Sequence, residues 1–250
     1  GLIVRSRTKV DADLIQAGSS LQVIGRAGVG VDNIDIDEAT RRGIVVINAP
    51  AANTYATVEL AFALLLGSAR RIPEADASMR SGQWKRKELR GTQLAGKTMG
   101  VVGVGRVGGE MAHRAQSFGM RVLAHDPYVT EERRNELALD MKPLEELLRA
   151  ANIVTLHVPL TDENRGLIGR NEIASMPAGA ILINAARGGL VDEEALAEAL
   201  VSGHLSAAGV DVFEMEPLPD DSPLREAPNL VMTPHIGAST FEAQREVSRQ

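Results

Sequence analysis

The 250-residue sequence contains no cysteine, which excludes disulfides, thiolate metal sites and cysteine nucleophiles together and suits a cytoplasmic protein. Aromatic residues are also scarce, 3% of the chain with a single tryptophan. The core must therefore be built from Val, Ile, Leu and Ala, the mixture found in buried parallel strands covered by helices. A surplus of positive charge is missing too: 27 Lys and Arg stand against 33 Asp and Glu, a formal charge of -6. Nucleic-acid binding needs a concentrated basic face, so that class is set aside, and any anionic ligand must be held by individual arginines. Nor is there a long apolar run. The longest, ELAFALLLGSA from Glu59 to Ala69, is followed directly by Arg70 and is too short for a bilayer. It reads as a buried helix, and no membrane partner is expected. No secretory leader precedes GLIVRS, which already has the character of a strand, so the chain is expected to start inside a domain.

What the chain does have is a steady alternation of short apolar runs and helical patterns, the mark of parallel α/β units. Strands are expected at Leu2–Arg5, Leu21–Arg26, Ile44–Ile47, Met99–Gly103, Arg121–His125, Ile153–His157, Ala180–Asn184, Ala207–Val212 and Leu230–Thr233. The acidic, proline-rich EMEPLPDDSPLREAPN from Glu214 to Asn229 is short and flanked by strands. It is expected to be an ordered loop.

Two glycine-rich stretches follow strands: IGRAGVGVDNID from Ile24 and VVGVGRVGGE from Val101. In the second, Gly103, Gly105 and Gly108 fit G-x-G-x-x-G; in the first, Asn33 occupies the third glycine position and carries a side chain where helix and strand must pack closely. Only the second is continued by a helical pattern, another strand and Asp126, eighteen residues beyond Gly108. That complete unit predicts a dinucleotide, its pyrophosphate on Gly103, Gly105, Arg106, Val107 and Gly108 and its adenosine ribose on Asp126. The acid repels a 2′-phosphate, and Pro127 and Tyr128 supply no cation, so NAD is expected rather than NADP. The predicted fold is a Rossmann-type doubly wound parallel sheet over residues 48–235. A smaller, incomplete flavodoxin-like α/β domain over 1–47 precedes it, and 236–250 returns toward that domain.

Open parallel sheets bind ligands at the carboxyl ends of their strands. Those ends carry Arg5, Arg26, Gly103, Asp126, His157, Arg187, Asp211 and His235. Singly each suits any wet turn, whereas their accumulation is informative. NAARGGLVDEEAL puts Arg187 in a glycine turn, GVDVFEMEPLP supplies Glu216, and NLVMTPHIGAST supplies His235 nineteen residues later. With the two glycine stretches, these segments resemble the NAD-dependent D-isomer 2-hydroxyacid dehydrogenases over nearly the whole chain. The resemblance implies a substrate domain that starts before this chain and closes after it.

It also implies roles. His235 would be the base for a substrate hydroxyl, Glu216 its carboxylate partner, and Arg187 the carboxylate clamp, the three requirements of hydroxy-acid oxidation beside a nicotinamide. Asp211 would contact the nicotinamide carboxamide, and Pro159, in HVPLT, would flank the adenine side. The amides of Val29 and Gly30 in the first glycine loop would bind the substrate carboxylate, and Arg5 and Arg26 the distal phosphate of a phosphorylated 2-hydroxy acid. A homodimer or higher homo-oligomer through the NAD domain is implied, and no metal. Two alternatives stand beside this: a family member reducing glyoxylate or hydroxypyruvate, and an NAD-sensing scaffold without turnover. His113 and His204 are read as surface or packing residues, His125 as pointing to the face opposite Asp126, and Trp84 as a packing or subunit-contact residue.

Overall fold

The computed structural model describes residues 1–5 and 7–249. Two compact units result, one comprising Gly1–Ala56 with Ala238–Gln250, the other Thr57–Gly237.

In the smaller unit, β1 (Leu2–Val4), α1 (Ala12–Ala17), β2 (Val23–Arg26), α2 (Ile36–Arg41) and β3 (Val45–Asn48) alternate. The three strands pair in chain order and in parallel, with Val4 opposite Arg26 and Arg26 opposite Asn48. Both helices start on an acidic cap: Asp11 accepts from the Leu14 amide at 3.1 Å and Asp35 from the Glu38 amide at 2.9 Å. Such caps satisfy amides the helix itself cannot. Val4, Val10, Ile15, Ile24, Ile34, Ala39 and Ile44 form the core. The boundary expected near Asn48 falls inside this unit. Asn48 donates from Nδ2 to the Val29 carbonyl at 2.6 Å and the Ala49 amide to the Gly28 carbonyl at 3.0 Å, so the segment after β3 is tied to the smaller unit and the division comes after Ala56.

The larger unit contains most of α3 (Thr54–Ala69), then α4 (Ile72–Arg80), β4 (Thr98–Val102), α5 (Arg106–Ser117), β5 (Arg121–His125), α6 (Glu131–Leu137) and β6 (Asp140–Met141). It continues through α7 (Leu144–Ala150), β7 (Ile153–Leu156), α8 (Arg170–Ser175), β8 (Ala180–Asn184), α9 (Glu193–Val201), β9 (Leu205–Val210) and β10 (Leu230–Met232). A last helix, α10 (Phe241–Val247), belongs to the smaller unit. No helix among the described residues is long and apolar enough to cross a membrane.

Seven strands form one parallel sheet in the order β10-β9-β8-β7-β4-β5-β6. Alternate residues enter two cores: Met99, Val101, Ile153, Ile181 and Ile183 face α3 and α5, whereas Val102, Val154, Leu156 and Leu182 face α7, α8 and α9. Strands buried on both faces read as near-continuous apolar runs, which is why the sequence pattern locates them. β6 has two residues, one of them charged, and carries no such pattern. β9 starts two residues before the expected position and ends at Val210, releasing Asp211 and Val212 into a turn. Between Glu214 and Asn229 the chain is ordered, with a 3₁₀ turn at Pro223–Arg225, buried Leu224, and Arg225 donating to the carbonyls of Leu218 and Pro219 at 2.7 and 2.8 Å.

Because every strand is parallel, all carboxyl ends lie on one edge of the sheet. Strand order reverses at β4, with β5 on one side and β7 on the other, the position at which doubly wound sheets bind ligands.

Candidate active site

At the reversal point, β4 runs into Gly103, φ +87°, where a Cβ would come within 2.6 Å of the His157 carbonyl. Gly108, in the first turn of α5, packs so closely on the Gly103 carbonyl that any side chain would overlap it. Gly105, the N-cap of α5, faces open space and supplies no side-chain cap. The amides of Arg106 and Val107 at the start of a twelve-residue helix are thus presented without a competing side chain, a ready anion site. Asp126, beyond β5, accepts from the Val104 amide at 3.0 Å and the Tyr128 amide at 2.9 Å. A carboxylate offers about four lone-pair sites, so these two bonds fix its plane and leave acceptor capacity.

His157 follows β7, its Nε2 2.9 Å from the hydroxyl of fully buried Thr155. Burial lowers the imidazole pKa from 6.5 to about 4. Between those values the folded state binds fewer protons than the unfolded chain, so stability falls as pH drops from about 6.5 to about 4. A His157→Gln variant is expected to lose this part of the acid sensitivity, checked by melting temperature against pH. An unchanged slope would clear His157 as its source. Beyond it, Asn164 clamps the HVPLT segment, donating to the Pro159 carbonyl at 2.7 Å and accepting from the Thr161 amide at 2.8 Å.

The ends of β8, β9 and β10 hold the second group. His235 adopts φ +52°, a left-handed conformation that costs a residue with a side chain free energy. Asp211, 1% exposed, holds it there. Its carboxylate accepts from the Thr233 hydroxyl at 2.6 Å and from the amides of Ile236 and Gly237 at 2.8 and 2.9 Å, while its carbonyl accepts from the His235 amide at 2.8 Å. So fixed, the imidazole Nδ1 meets Glu216 Oε2 at 2.7 Å, and Glu216 Oε1 accepts from the Phe213 amide at 3.1 Å. Assigning the Nδ1 proton to this contact makes Nε2 the basic nitrogen. Glu193 accepts from the Glu214 amide at 2.7 Å, and burial raises its carboxyl pKa.

Arg187 stands on the turn after β8. Buried Asn184 shapes that turn by accepting from the Ala186 amide at 3.1 Å and donating to the Arg187 carbonyl at 2.9 Å, while its own carbonyl accepts from the Asp211 amide. Gly188 lies flat against the Phe213 carbonyl, with no room for a side chain. The turns bearing Arg187, Glu216 and His235 are therefore locked to one another through Asn184, Asp211 and Phe213. Among the described residues no group of three His, Asp or Glu side chains could hold a metal ion.

This order of groups along one sheet edge has a counterpart among known proteins. Residues 62–237 match the D-isomer specific 2-hydroxyacid dehydrogenase, NAD binding domain. The chain belongs to that family. It is 53% identical to a D-3-phosphoglycerate dehydrogenase of Archaeoglobus fulgidus over 98% of this chain and 47% of the relative. It is 48% identical to a hydroxypyruvate reductase of Thermotoga maritima over 98% of this chain and 80% of the relative. The crystal structure of a D-lactate dehydrogenase from Aquifex aeolicus, complexed with NAD and lactic acid, superposes with a TM-score of 0.90 at 30% identity, covering 99% of this chain and 79% of that one. The chain spans about half the length of the D-3-phosphoglycerate dehydrogenases it matches.

Within this NAD-binding domain the residues present fit the dinucleotide. The side-chain-free cradle of Gly103, Gly105 and Gly108 suits the diphosphate, and the acceptor capacity of Asp126 suits ribose hydroxyls. The Glu216–His235 pair is made, and Arg187 stands on the turn locked to it. Asp211, expected at the nicotinamide, bonds the turn that bears His235. His125 points to the Lys142 carbonyl at 3.0 Å, His204 to the Ile173 carbonyl at 2.9 Å, and His113 and Trp84 are exposed. In the smaller unit, Arg26 donates to Asn33 Oδ1 at 3.2 Å and to the Ala27 carbonyl at 2.7 Å, while Asn33 donates to the carbonyls of Arg5 and Thr8 at 3.1 and 2.6 Å. Asn33 is thus the tie that closes the first glycine loop, which carries Val29 and Gly30. Asn184, Thr233 and Asn164 were missed from the sequence, where nothing but positions at or beyond strand ends could have marked them.

Proposed function

We propose that the protein containing this chain oxidises D-3-phosphoglycerate with NAD to 3-phosphohydroxypyruvate, the reaction that opens L-serine synthesis. The carrying observation is the 2.7 Å His235–Glu216 contact at the carboxyl edge of a sheet whose β4–α5 turn is built for a dinucleotide. Bound NAD supplies the hydride acceptor. His235 Nε2 takes the C2 hydroxyl proton, and Glu216 on Nδ1 orients the ring and stabilises its protonated form. Arg187 grips the substrate carboxylate as a bidentate guanidinium; the amides of Val29 and Gly30, in the glycine loop after β2, are carboxylate-binding donors. Arg5 and Arg26, ending adjacent parallel strands, take the distal phosphate. Asp126 selects NAD over NADP, and Pro159 lines the adenine side. The working protein in this reading is a cytoplasmic homodimer or larger homo-oligomer formed through the larger unit, whose exposed Ile72, Met79 and Trp84 supply an apolar surface of the kind subunits cover.

A second reading, hydroxypyruvate reduction, is favoured by one observation: the reductase relative is 48% identical over 98% of this chain, close to the 53% of the phosphoglycerate dehydrogenase over the same share. Steady-state assay of the full-length protein separates the two. The phosphate reading expects kcat/KM for D-3-phosphoglycerate to exceed that for D-glycerate by ~10-fold or more, the scale of one charge-assisted hydrogen bond. Arg26→Ala should erase most of that ratio while sparing the unphosphorylated acid. Equal values for the two acids in the parent protein favour the second reading, and NAD binding without turnover of either favours a scaffold.

A further inference from the structure

Arg133 lies in the first turn of α6, yet its side chain returns to the glycine turn 28 residues earlier. Its Nη2 donates to the Gly105 carbonyl at 3.3 Å and its Nη1 pairs with Glu136 Oε2 at 2.7 Å. The room it occupies exists because residue 109 is glycine: a methyl group there would overlap Nη2 and come within 3.2 Å of Leu137 Cδ2. The dinucleotide motif itself accounts for Gly103, Gly105 and Gly108 but gives no reason for a fourth glycine at 109, inside α5, where glycine is a poor helix former.

We propose that Arg133 contacts the diphosphate of NAD, and that Gly109 is kept bare to admit its guanidinium. Three observations support this. The guanidinium lies against the first turn of α5, the end at which the amides of Arg106 and Val107 are presented uncapped. Its bond to the Gly105 carbonyl, 3.3 Å, is slightly longer than the normal range and is readily exchanged for a shorter, charge-assisted bond to a phosphate oxygen. Glu136 steadies the opposite edge of the guanidinium and leaves Nη2 turned to the loop. The inference needs only the NAD-binding domain and is independent of which acid is the substrate.

The test is titration of the chain with NAD and with NADP, followed calorimetrically, together with melting curves. Arg133→Ala is expected to weaken both dinucleotides about 10-fold and equally, because the diphosphate is common to both, and to flatten the salt dependence of NAD binding. Gly109→Ala should reproduce the loss by displacing the flexible tip of Arg133, although alanine is the better helix former and the melting temperature should hold or rise. Adding Gly109→Ala to Arg133→Ala should cost nothing further, since both act on one contact. Unchanged NAD affinity in Arg133→Ala overturns the proposal. So does a loss confined to NADP, which would put the guanidinium at the ribose 2′-phosphate. Should Gly109→Ala fail to fold, Arg133→Gln, a change at a partly exposed side chain, carries the test on its own.

Discussion

Replacing His235 with alanine in the full-length protein should lower kcat by ~10²–10⁴-fold, the usual worth of a general base, while NAD affinity stays close to that of the parent. The separation of the two effects follows from the architecture. His235 sits beyond β10 and bonds Glu216 and the carbonyls of Asp211 and Thr233, whereas the dinucleotide cradle is built on β4, β5 and β7, toward the other side of the sheet. The turn survives the substitution as well, because Asp211 binds Thr233 and the amides of Ile236 and Gly237 rather than the imidazole. Alanine tolerates φ +52° no better than histidine does, so little stability is regained. Glu216→Gln should cost a comparable amount, since an amide has one oxygen for the two donors that Glu216 serves, and its NH2 turned to Nδ1 leaves the ring proton on Nε2. Steady-state kinetics with a parallel NADH fluorescence titration would check both. A His235→Ala protein that keeps most of its turnover would remove this residue from the chemistry.

The parts of this site that could be read from the sequence are those whose physics is local. Val101 to Asp126 forms one strand-turn-helix-strand unit, and Gly103 and Gly108 in it answer to a left-handed angle and a backbone clash that the motif spacing anticipates. Arg187 and His235 are legible as polar residues beyond apolar runs, and Glu216 only through the resemblance to the dehydrogenases. What escaped is carried by side chains bonding backbone across long separations. Asp211 acts on residues 22 to 26 positions away, Asn33 on carbonyls 25 and 28 positions away, and Arg133 on Gly105, 28 away. No periodicity encodes such pairs; they follow from which strand ends become neighbours. The same limit explains Asn48. A composition change after β3 suggested a boundary there, but the bonds to Gly28 and Val29 arise only once β2 and β3 are paired.

The adjacent glycines of NAARGGLV show how far a turn motif underdetermines its parts, and they give the second large expected effect. Gly189 has φ +78°, and a Cβ there would meet the Arg165 Nη1 at 2.9 Å, the tip of a flexible side chain that can move. Gly189→Ala should therefore cost only its backbone strain, about 1–2 kcal/mol. Gly188 needs no left-handed angle, but its Cβ direction runs into the Phe213 carbonyl, with the Glu214 amide 2.8 Å away. Backbone on both sides cannot yield as a side chain does, so Gly188→Ala must push the Arg187 turn off the segment whose Phe213 amide anchors Glu216. Overpacking of this kind typically costs about 1–3 kcal/mol and more where neither wall relaxes; at roughly 2–4 °C per kcal/mol for a unit of this size, the melting temperature should fall by up to about 12 °C. Turnover should fall further than stability predicts, because Arg187 and the Glu216–His235 pair lie on opposite sides of the forced contact. Melting curves and kcat for the two variants side by side decide the matter: a Gly188→Ala protein as stable and as active as Gly189→Ala would show that the two turns are not locked, and that Arg187 is positioned by Asn184 alone.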